Sequence, residues 1–229
     1  MIYITGDTHG NINRFSNGAM RRLTGADTLI VCGDFGFVWD NSKQELRHLR
    51  QLEEKKYTVC FIDGAHENFD LLNSYSVSEW NGGKVHRIGA NIYHLMRGQI
   101  YNINGQKVFV MGGGESPDIE LRYENDAWAR SAIPSQNELL EGARNLEKEK
   151  YSVDLIITHE PPAKVKGLLM LGEKESAQFT ILNTYFDELA RVCKYRKWYF
   201  GSLHIDKYIS TTQTAVFQNV IDSRTGKTL

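Results

Sequence analysis

Five short apolar runs in the sequence each end near a residue that can bind a metal ion or transfer a proton. These residues all lie in the first turns after a strand-like run, and they are Asp7 with His9, Asp34, Asp63 with His66, His159, and His204. In an open α/β sheet, ligands bind beyond the carboxyl ends of the strands. Independent turns would have no reason to place a carboxylate or an imidazole at the same end of every strand. The pattern therefore predicts one polar site at this edge.

Each signal taken alone has an ordinary structural explanation. A Gly-Asp pair such as Gly33-Asp34 is usually a turn, and Asp7 could equally cap a following helix. A single histidine after a strand is more often a hydrogen-bonded polar residue than a metal ligand. Together, carboxylates and imidazoles form the donor set of a divalent cation such as manganese, iron, zinc or magnesium. We therefore expect a divalent-metal site.

Strand-like runs alternate with helical patterns in the first third of the sequence. The apolar run at 2–5 is followed by a predicted helix over about 13–23, and the run at 28–32 by a predicted helix over about 42–56. The run at 57–62 is followed by the segment ENFDLL. Alternation at this spacing is typical of βαβ units and of a mainly parallel sheet.

The later part of the sequence changes character. Asn104-Gly105 lies between two β-rich runs and predicts a tight hairpin. Ser135 and Glu138 have the spacing of a capping box, which starts a predicted helix ending near Lys150. A longer helix is predicted over about 175–194, where apolar residues recur at three- and four-residue steps. The runs after it read as consecutive strands, antiparallel where the turns are tight.

Length and composition fit a single α/β domain over residues 1–229, parallel in its first half, with antiparallel additions later and helices outside. A net charge of −1 gives no electrostatic footprint for nucleic acid or an anionic membrane. No segment has the pattern of a signal peptide or a membrane span. Cys32, Cys60 and Cys193 read as buried free thiols. We therefore expect a cytoplasmic protein without a membrane partner.

The polar segments also occur in a recognisable order. They read Asp7-Thr8-His9, Gly33-Asp34, Gly64-Ala65-His66-Glu67, His159 and Gly201-Ser202-Leu203-His204. In order and spacing they resemble the signature of the calcineurin-like metallophosphoesterase family, and the resemblance covers nearly the whole chain. The resemblance implies two facing mixed β-sheets flanked by helices, a four-layer α-β-β-α sandwich. It also implies hydrolysis of a phosphomonoester or phosphodiester by metal-activated water.

The resemblance implies a role for each matching residue. One metal would be held by Asp7, His9 and His204, with Asp34 bridging to a second metal. The second metal would also take His159, the asparagine of the third motif and the first histidine of the last motif. Two such cations, about 3.5–4 Å apart, clamp phosphoryl oxygens and lower the pKa of water.

Two positions depart from this signature, and both belong to the second metal. Ala65 stands where the signature has asparagine, and Ser202 stands where it has histidine. We therefore expect the first metal to bind well. The second should bind weakly, only at high concentration, or only with substrate phosphate present. Glu67 and Glu160 adjoin motif histidines and could substitute for the missing ligands.

His66 is retained, and the resemblance places it near the phosphate, where it would stabilise or protonate the leaving oxygen. Its retention favours catalysis on a phosphorylated small molecule or nucleotide. Ala65 and Ser202 support the alternative, a catalytically impaired member of the fold that acts as a binding or scaffold protein. A nuclease is disfavoured because a basic surface is missing. Mono- or diesterase preference, the physiological metal and the oligomeric state stay open.

Other segments could line the site. Residues 35–39, FGFVW, either form a wall of the cleft or pack as an aromatic loop, and the three glycines at 112–114 read as a turn. Arg122 is a candidate substrate-binding residue, because it lies with Trp128 and Arg130 in an insertion before Pro134.

Overall fold

The computed structural model describes residues 1–115, 131–171 and 179–229. Within these ranges the strands form two sheets. The strands of the first sheet are β1 (Ile2–Thr5), β2 (Thr28–Cys32), β3 (Thr58–Ile62), β4 (Val77–Trp80), β5 (Gly83–Arg87), β6 (Ile92–Leu95) and β13 (Ile221–Asp222). Those of the second sheet are β7 (Ile100–Ile103), β8 (Gln106–Met111), β9 (Leu155–Thr158), β10 (Lys197–Phe200), β11 (Lys207–Tyr208) and β12 (Gln213–Ala215).

Both sheets have a parallel centre and antiparallel edges. The first has the order β13-β1-β2-β3-β6-β5-β4, in which β1, β2, β3 and β6 are parallel. The second has the order β11-β12-β10-β9-β8-β7, in which β8, β9, β10 and β12 are parallel. The prediction that the later strands are antiparallel additions is therefore wrong for the centre of the second sheet. The reason is that a helix lies before β9 and another before β10, so the βαβ pattern continues.

Helices cover the outer face of each sheet. The helices are α1 (Lys43–Glu53), α2 (Phe69–Ser74), α3 (Gln136–Lys148), α4 (Ala163–Leu169) and α5 (Ile181–Val192). One apolar cluster joins α1 and α2 to the first sheet, and another joins the remaining three helices to the second. No helix in the described ranges is long and apolar enough to cross a membrane.

The inner faces of the two sheets share a third apolar cluster. Along β2, Ile30 and Cys32 face this cluster, whereas Leu29 and Val31 face the helices. Alternate residues of a strand point to opposite faces, so strands buried on both faces are apolar throughout, as TLIVC is. The layers follow the order α-β-β-α, and the predicted fold class is confirmed.

Features that short sequence patterns encode are present in the structure. Asn104 and Gly105 have φ values of 50° and 74°, and they join β7 to β8 in a tight antiparallel hairpin. Ser135 and Glu138 form the predicted capping box at the start of α3. Ser42 caps α1 by accepting a hydrogen bond from the N–H of Glu45 at 3.2 Å.

Two predicted helices differ from the structure. The segment 13–23 forms two short 3₁₀ helices, Ile12–Ser16 and Met20–Arg22, because the Asn17 side chain accepts the N–H of Met20 at 2.9 Å and Gly18 lies between the two helices. The later helix begins at Ile181, since Thr180 and Asn183 form a capping box there. Phe179 precedes that cap and is 54% exposed, so it is not part of the apolar face. Residues 175–178 of the prediction lie outside the described ranges.

Candidate metal centre

The loops that follow β1 and β2 are joined by backbone hydrogen bonds. The N–H groups of Thr8 and His9 donate to the carbonyl oxygen of Asp34 at 3.2 and 2.9 Å. Further along these loops, a Cβ atom on Gly36 would lie 2.4 Å from the backbone nitrogen of Gly10, so this close approach requires glycine. The glycines beside the motifs therefore let the two loops pack directly on each other at the sheet edge.

Four side chains meet where these loops join the loop after β10. Asp7, His9, Asp34 and His204 each offer a ligand atom, and these atoms lie within 4.8 Å of one another. Nε2 of His204 is 3.0 Å from Oδ2 of Asp7 and 3.0 Å from Nε2 of His9. The carboxylates are buried and the two histidines are exposed at the rim. His9, Asp34 and His204 all have positive φ, an uncommon backbone conformation that recurs at functional sites.

This donor set fits a divalent cation. Among the described residues, neither buried oxygen of Asp7 accepts a hydrogen bond of good geometry, although His204 lies within ion-pairing distance. A buried carboxylate is costly unless it is hydrogen-bonded, paired or bound to a metal. Two oxygen and two nitrogen donors suit manganese, iron or zinc.

Asp34 also orients His66. The backbone N–H of His66 donates to Oδ1 of Asp34 at 2.8 Å, and Nδ1 of its ring lies 2.9 Å from Oδ2. Because an ionised carboxylate only accepts, Nδ1 carries the proton in this contact. Proton exchange with a ligand then falls to Nε2. Burial alone would raise the pKa of Asp34, but nearby His159 and His66 outweigh it and lower this pKa.

His159 lies beside the four-residue cluster. Nδ1 of this buried ring is 3.0 Å from the carbonyl oxygen of Cys32, and Nε2 is 3.8 Å from Oδ1 of Asp34. Burial would lower the pKa of His159, but the Asp34 and Asp7 carboxylates outweigh it and raise that pKa to about 9. The structure thus brings His159 to Asp34, outside the group formed by the other four side chains.

The two positions that depart from the signature, Ala65 and Ser202, lie close to His159. A Cβ atom on Gly114 would lie 3.0 Å from His159 and 3.5 Å from the Cβ of Ala65, so these three residues are neighbours. The hydroxyl of Ser202 is buried and has no hydrogen-bond partner among the described residues. Within the described ranges, the only group of three or more His, Cys, Asp or Glu side chains placed to hold a metal is the four-residue cluster.

Glu67 and Glu160 lie outside the four-residue cluster, and each accepts hydrogen bonds from other groups in the described part of the chain. Oε1 of Glu67 accepts the N–H of Phe35 at 2.9 Å, and burial followed by the nearby Asp34 charge raises the pKa of Glu67 well above its usual range. Oε2 of Glu160 accepts from Nζ of Lys166 at 3.0 Å and from Asn183 at 3.0 Å. Both carboxyl groups brace the loops around the centre.

A cavity of about 560 Å³ opens beside His9 and His66. Its wall includes Gly36, Phe37 and Trp39, whereas Phe35 is fully buried in the aromatic core under the first sheet. In the segment 35–39, part of the chain therefore forms a wall of the cavity, and part of it packs as an aromatic loop. The candidate substrate residue Arg122, with Trp128 and Arg130, lies outside the described residues.

Arg14 is a site residue that the sequence analysis missed. Nη1 donates to the backbone carbonyl of Asp7 at 3.1 Å, and Nη2 donates to Oγ1 of Thr5 at 3.0 Å. The guanidinium also lies 5.4 Å over the ring of Phe217, which in turn packs 5.0 Å from the ring of His204. The available signal was an arginine seven residues after Asp7, in the segment between the first motif and β2.

Two facing mixed sheets with a carboxylate and imidazole cluster at their carboxyl edge are the arrangement that the resemblance to the metallophosphoesterase signature implies. A comparison with protein-family models agrees, because residues 1–210 match calcineurin-like phosphoesterase. The chain belongs to the calcineurin-like phosphoesterase family. A search of curated proteins found no match.

Proposed function

We propose that this protein hydrolyses a phosphomonoester or phosphodiester with metal-activated water, at a centre whose second metal site is incomplete. The observation that carries the proposal is the position of Asp34, which belongs to the four-residue cluster and also binds His66 through both carboxylate oxygens. The proposal is supported by an imidazole that lies beside the four-residue cluster, at the mouth of a cavity.

The first metal would be held by the four clustered side chains. A divalent cation bound there lowers the pKa of water and polarises a phosphoryl oxygen. The buried Asp7 and Asp34 carboxylates offset the charge of the ion, and the rim histidines complete the donor set. Arg14 holds the Asp7 backbone in place.

His66 would act on the leaving group. With Nδ1 hydrogen-bonded to Asp34, the ring is fixed in orientation, and Nε2 can hold a proton for the departing oxygen. The His66 side chain is 41% exposed and lines the cavity, so a bound ester could reach it. The fixed orientation and the exposure of His66 support a general-acid role for it.

A second metal would bind weakly. Asp34 and His159 remain as ligands, and Ser202 offers one neutral hydroxyl in place of an imidazole. The methyl group of Ala65 offers no donor atom. We propose that this site fills only at high metal concentration or when substrate phosphate contributes oxygens.

Ala65 and Ser202 also support an alternative, in which the chain is a catalytically impaired member of the fold that binds a partner or phosphorylated ligand. The hydrolytic proposal concerns a phosphorylated small molecule or nucleotide as substrate. We further propose that the protein works in the cytoplasm, which is supported by three buried free cysteines, Cys32, Cys60 and Cys193.

Hydrolysis of 4-nitrophenyl phosphate and bis(4-nitrophenyl) phosphate, with manganese, iron, zinc and magnesium at rising concentration, tests the proposal. Metal-dependent turnover that His66→Ala lowers by about 100-fold or more supports an enzyme with this general acid. The double change Ala65→Asn with Ser202→His should raise turnover at low metal concentration. No turnover in the unmodified chain, with strong turnover in the double variant, supports the binding alternative.

A further inference from the structure

The cavity beside the metal cluster extends well beyond the room that a phosphate needs. Its volume of about 560 Å³ is that of a small-molecule site. His9 and His66 line one end, and the remaining lining residues are Gly10, Gly36, Phe37, Trp39, Asp40, Ser42, Gln44, Glu45 and His48. A phosphate held at the cluster would thus leave this space for the group to which it is esterified.

The wall of the cavity is built as a fixed loop. Oε2 of Glu45 accepts the N–H of Trp39 at 2.7 Å and that of Asp40 at 3.0 Å, and Oε1 accepts the N–H of Asn41 at 3.1 Å. Asn68 donates to the carbonyl oxygen of Trp39 at 2.6 Å. Hydrogen bonds at successive backbone positions pre-organise this loop before any ligand arrives.

The wall presents aromatic surface. The side chain of Trp39 remains 37% exposed, and the buried ring of Phe37 packs edge-on against His48 at 5.9 Å. Rings at such positions favour flat or apolar ligands.

The charged side chains that line the cavity also favour some ligands over others. No lysine or arginine is among the described residues that line it. Asp40 is exposed there, and its hydrogen bonds with Ser42 lower the pKa of Asp40, so it is ionised at neutral pH. An anionic group in this space would meet the Asp40 carboxylate and no lysine or arginine, whereas an uncharged or cationic group would not be repelled by Asp40.

We propose that this cavity is a subsite for an aromatic leaving group that is uncharged or cationic, with Trp39 contacting the ring and Asp40 disfavouring anions. The inference rests on the proposed function, since the phosphate is taken to sit at the metal cluster. It deepens that function by favouring aryl phosphate esters over nucleoside polyphosphates or polynucleotides.

Binding of uncleavable phosphonates to the manganese-loaded protein tests the subsite without needing turnover. The probes are methylphosphonate, benzylphosphonate, and benzylphosphonates with a 4-carboxyl or a 4-aminomethyl group, measured by calorimetry. Benzylphosphonate should bind about 3- to 10-fold more tightly than methylphosphonate, as expected for a ring contact. The aminomethyl probe should bind at least as tightly as benzylphosphonate, and the carboxyl probe more weakly.

Three variants assign these preferences to residues. Trp39→Ala should remove the advantage of the benzyl group, and Trp39→Phe should restore most of it. Asp40→Asn should bring the carboxyl and aminomethyl probes to similar affinity. The control Tyr151→Ala removes an aromatic side chain with the same 37% exposure, which lies before β9 and away from the cavity, and it should change nothing.

The outcomes separate the two proposals. A benzyl advantage that Trp39→Ala abolishes, in a protein without turnover, supports the subsite while the hydrolytic function fails. Equal affinity for methyl- and benzylphosphonate, or a benzyl advantage that persists in Trp39→Ala, overturns the subsite even if aryl phosphates are hydrolysed. Tighter binding of the carboxyl probe than of the aminomethyl probe overturns the charge preference.

Discussion

At the residue scale, Asp7 is a buried carboxylate, and neither of its oxygens has a hydrogen-bond partner in the described part of the chain. Its buried carboxylate has no well-formed hydrogen bond within that part, yet it lies against three imidazole-bearing residues, His9, His159 and His204. Burying a carboxylate in this way is costly, and a bound cation would offset the cost. Natural proteins commonly give up stability in this way at functional sites.

Metal binding should therefore stabilise the protein through Asp7. At 100 times its Kd, manganese adds about 2.7 kcal/mol to the free energy of unfolding. For a chain of this size that corresponds to about 5–10 °C in Tm. We expect this gain in the unmodified protein and its near-complete loss in Asp7→Asn, measured by thermal denaturation with and without manganese. Asp70→Asn, at an exposed position on α2, should keep the full gain, and an equal gain in Asp7→Asn would contradict the assignment.

Arg14 is expected to be a positioning residue for the metal. Arg14→Met removes the donors to Asp7 and Thr5 and the contact with Phe217. Loss of such outer partners typically weakens metal affinity by about 10- to 100-fold. Calorimetric titration with manganese measures this effect.

Arg191→Met serves as the matched control for Arg14. Arg191 pairs with Glu188 on the exposed surface of α5, so this change should leave manganese affinity unaltered. A purely structural role of Arg14 would instead lower the Tm of the metal-free protein and leave manganese affinity intact.

At the element scale, the β7–β8 hairpin depends on one backbone conformation. Gly105 has φ of 74°, and a Cβ atom added there would meet open space, so Gly105→Ala introduces backbone strain without a steric clash. We expect a loss of about 1 kcal/mol in the free energy of unfolding, measured by urea denaturation. Gly18→Ala, also in open space but without a positive φ, should be neutral or slightly stabilising. Equal effects of the two changes would contradict this explanation.

A polar network around buried Asp63 joins the first sheet to helix α3, which packs on the second sheet. Asp63, just after β3, lies 3.1 Å from Nε2 of His94 in β6 and 2.6 Å from Nη2 of Arg97, which also contacts Glu138 of α3. The backbone carbonyl of Asp63 accepts the N–H of Gly113, just after β8. One aspartate therefore holds elements of both sheets.

Burial would raise the pKa of Asp63, but Arg97 and His94 outweigh it, and the pKa lies well below its usual range. A lowered pKa in the folded state adds stability above the unfolded value of about 3.9, and this stability is lost as pH falls. Asp63→Asn should cost about 3 kcal/mol at pH 7, because the paired Arg97 stays buried.

The same change should flatten the fall in stability between about pH 5 and pH 3, measured by urea denaturation across that range. Glu79→Gln, at an exposed position in β4, should leave both the stability at pH 7 and the steepness of the acid limb unchanged. An acid limb of Asp63→Asn as steep as that of the unmodified protein would contradict this account.

Features that neighbouring residues determine were predicted more accurately than features that depend on residues far apart in the chain. The Asn104-Gly105 hairpin and the Ser135–Glu138 capping box were predictable because adjacent residues fix them. The start of α5 was missed because Thr180 caps the helix after Phe179 in an otherwise continuous apolar pattern.

Long-range features of the site were less accessible. The ordered motifs predicted which side chains meet at the sheet edge, and the structure brings Asp7, Asp34 and His204 together. Arg14 was missed because its partners include a carbonyl group 203 residues away in the chain. The directions of Glu67 and Glu160 depend on packing that no local pattern encodes.

At the scale of the whole molecule, the two sheets share the apolar layer that contains Ile4, Ile30, Val110 and Ile157. Neither sheet can expose its inner face without losing this burial, so we expect residues 1–229 to unfold as one cooperative unit. Calorimetry should give equal calorimetric and van't Hoff enthalpies in a single transition. Two resolved transitions would show separate domains.

His204 belongs to the loop after β10 of the second sheet, whereas Asp7 and Asp34 follow strands of the first. An ion held by all three would close the chain into loops that span most of its length. Constraining such loops reduces the entropy of the unfolded chain, as a disulfide does. The metal would then act as a reversible cross-link in a protein whose cysteines are all unpaired. Release of the metal would remove this cross-link.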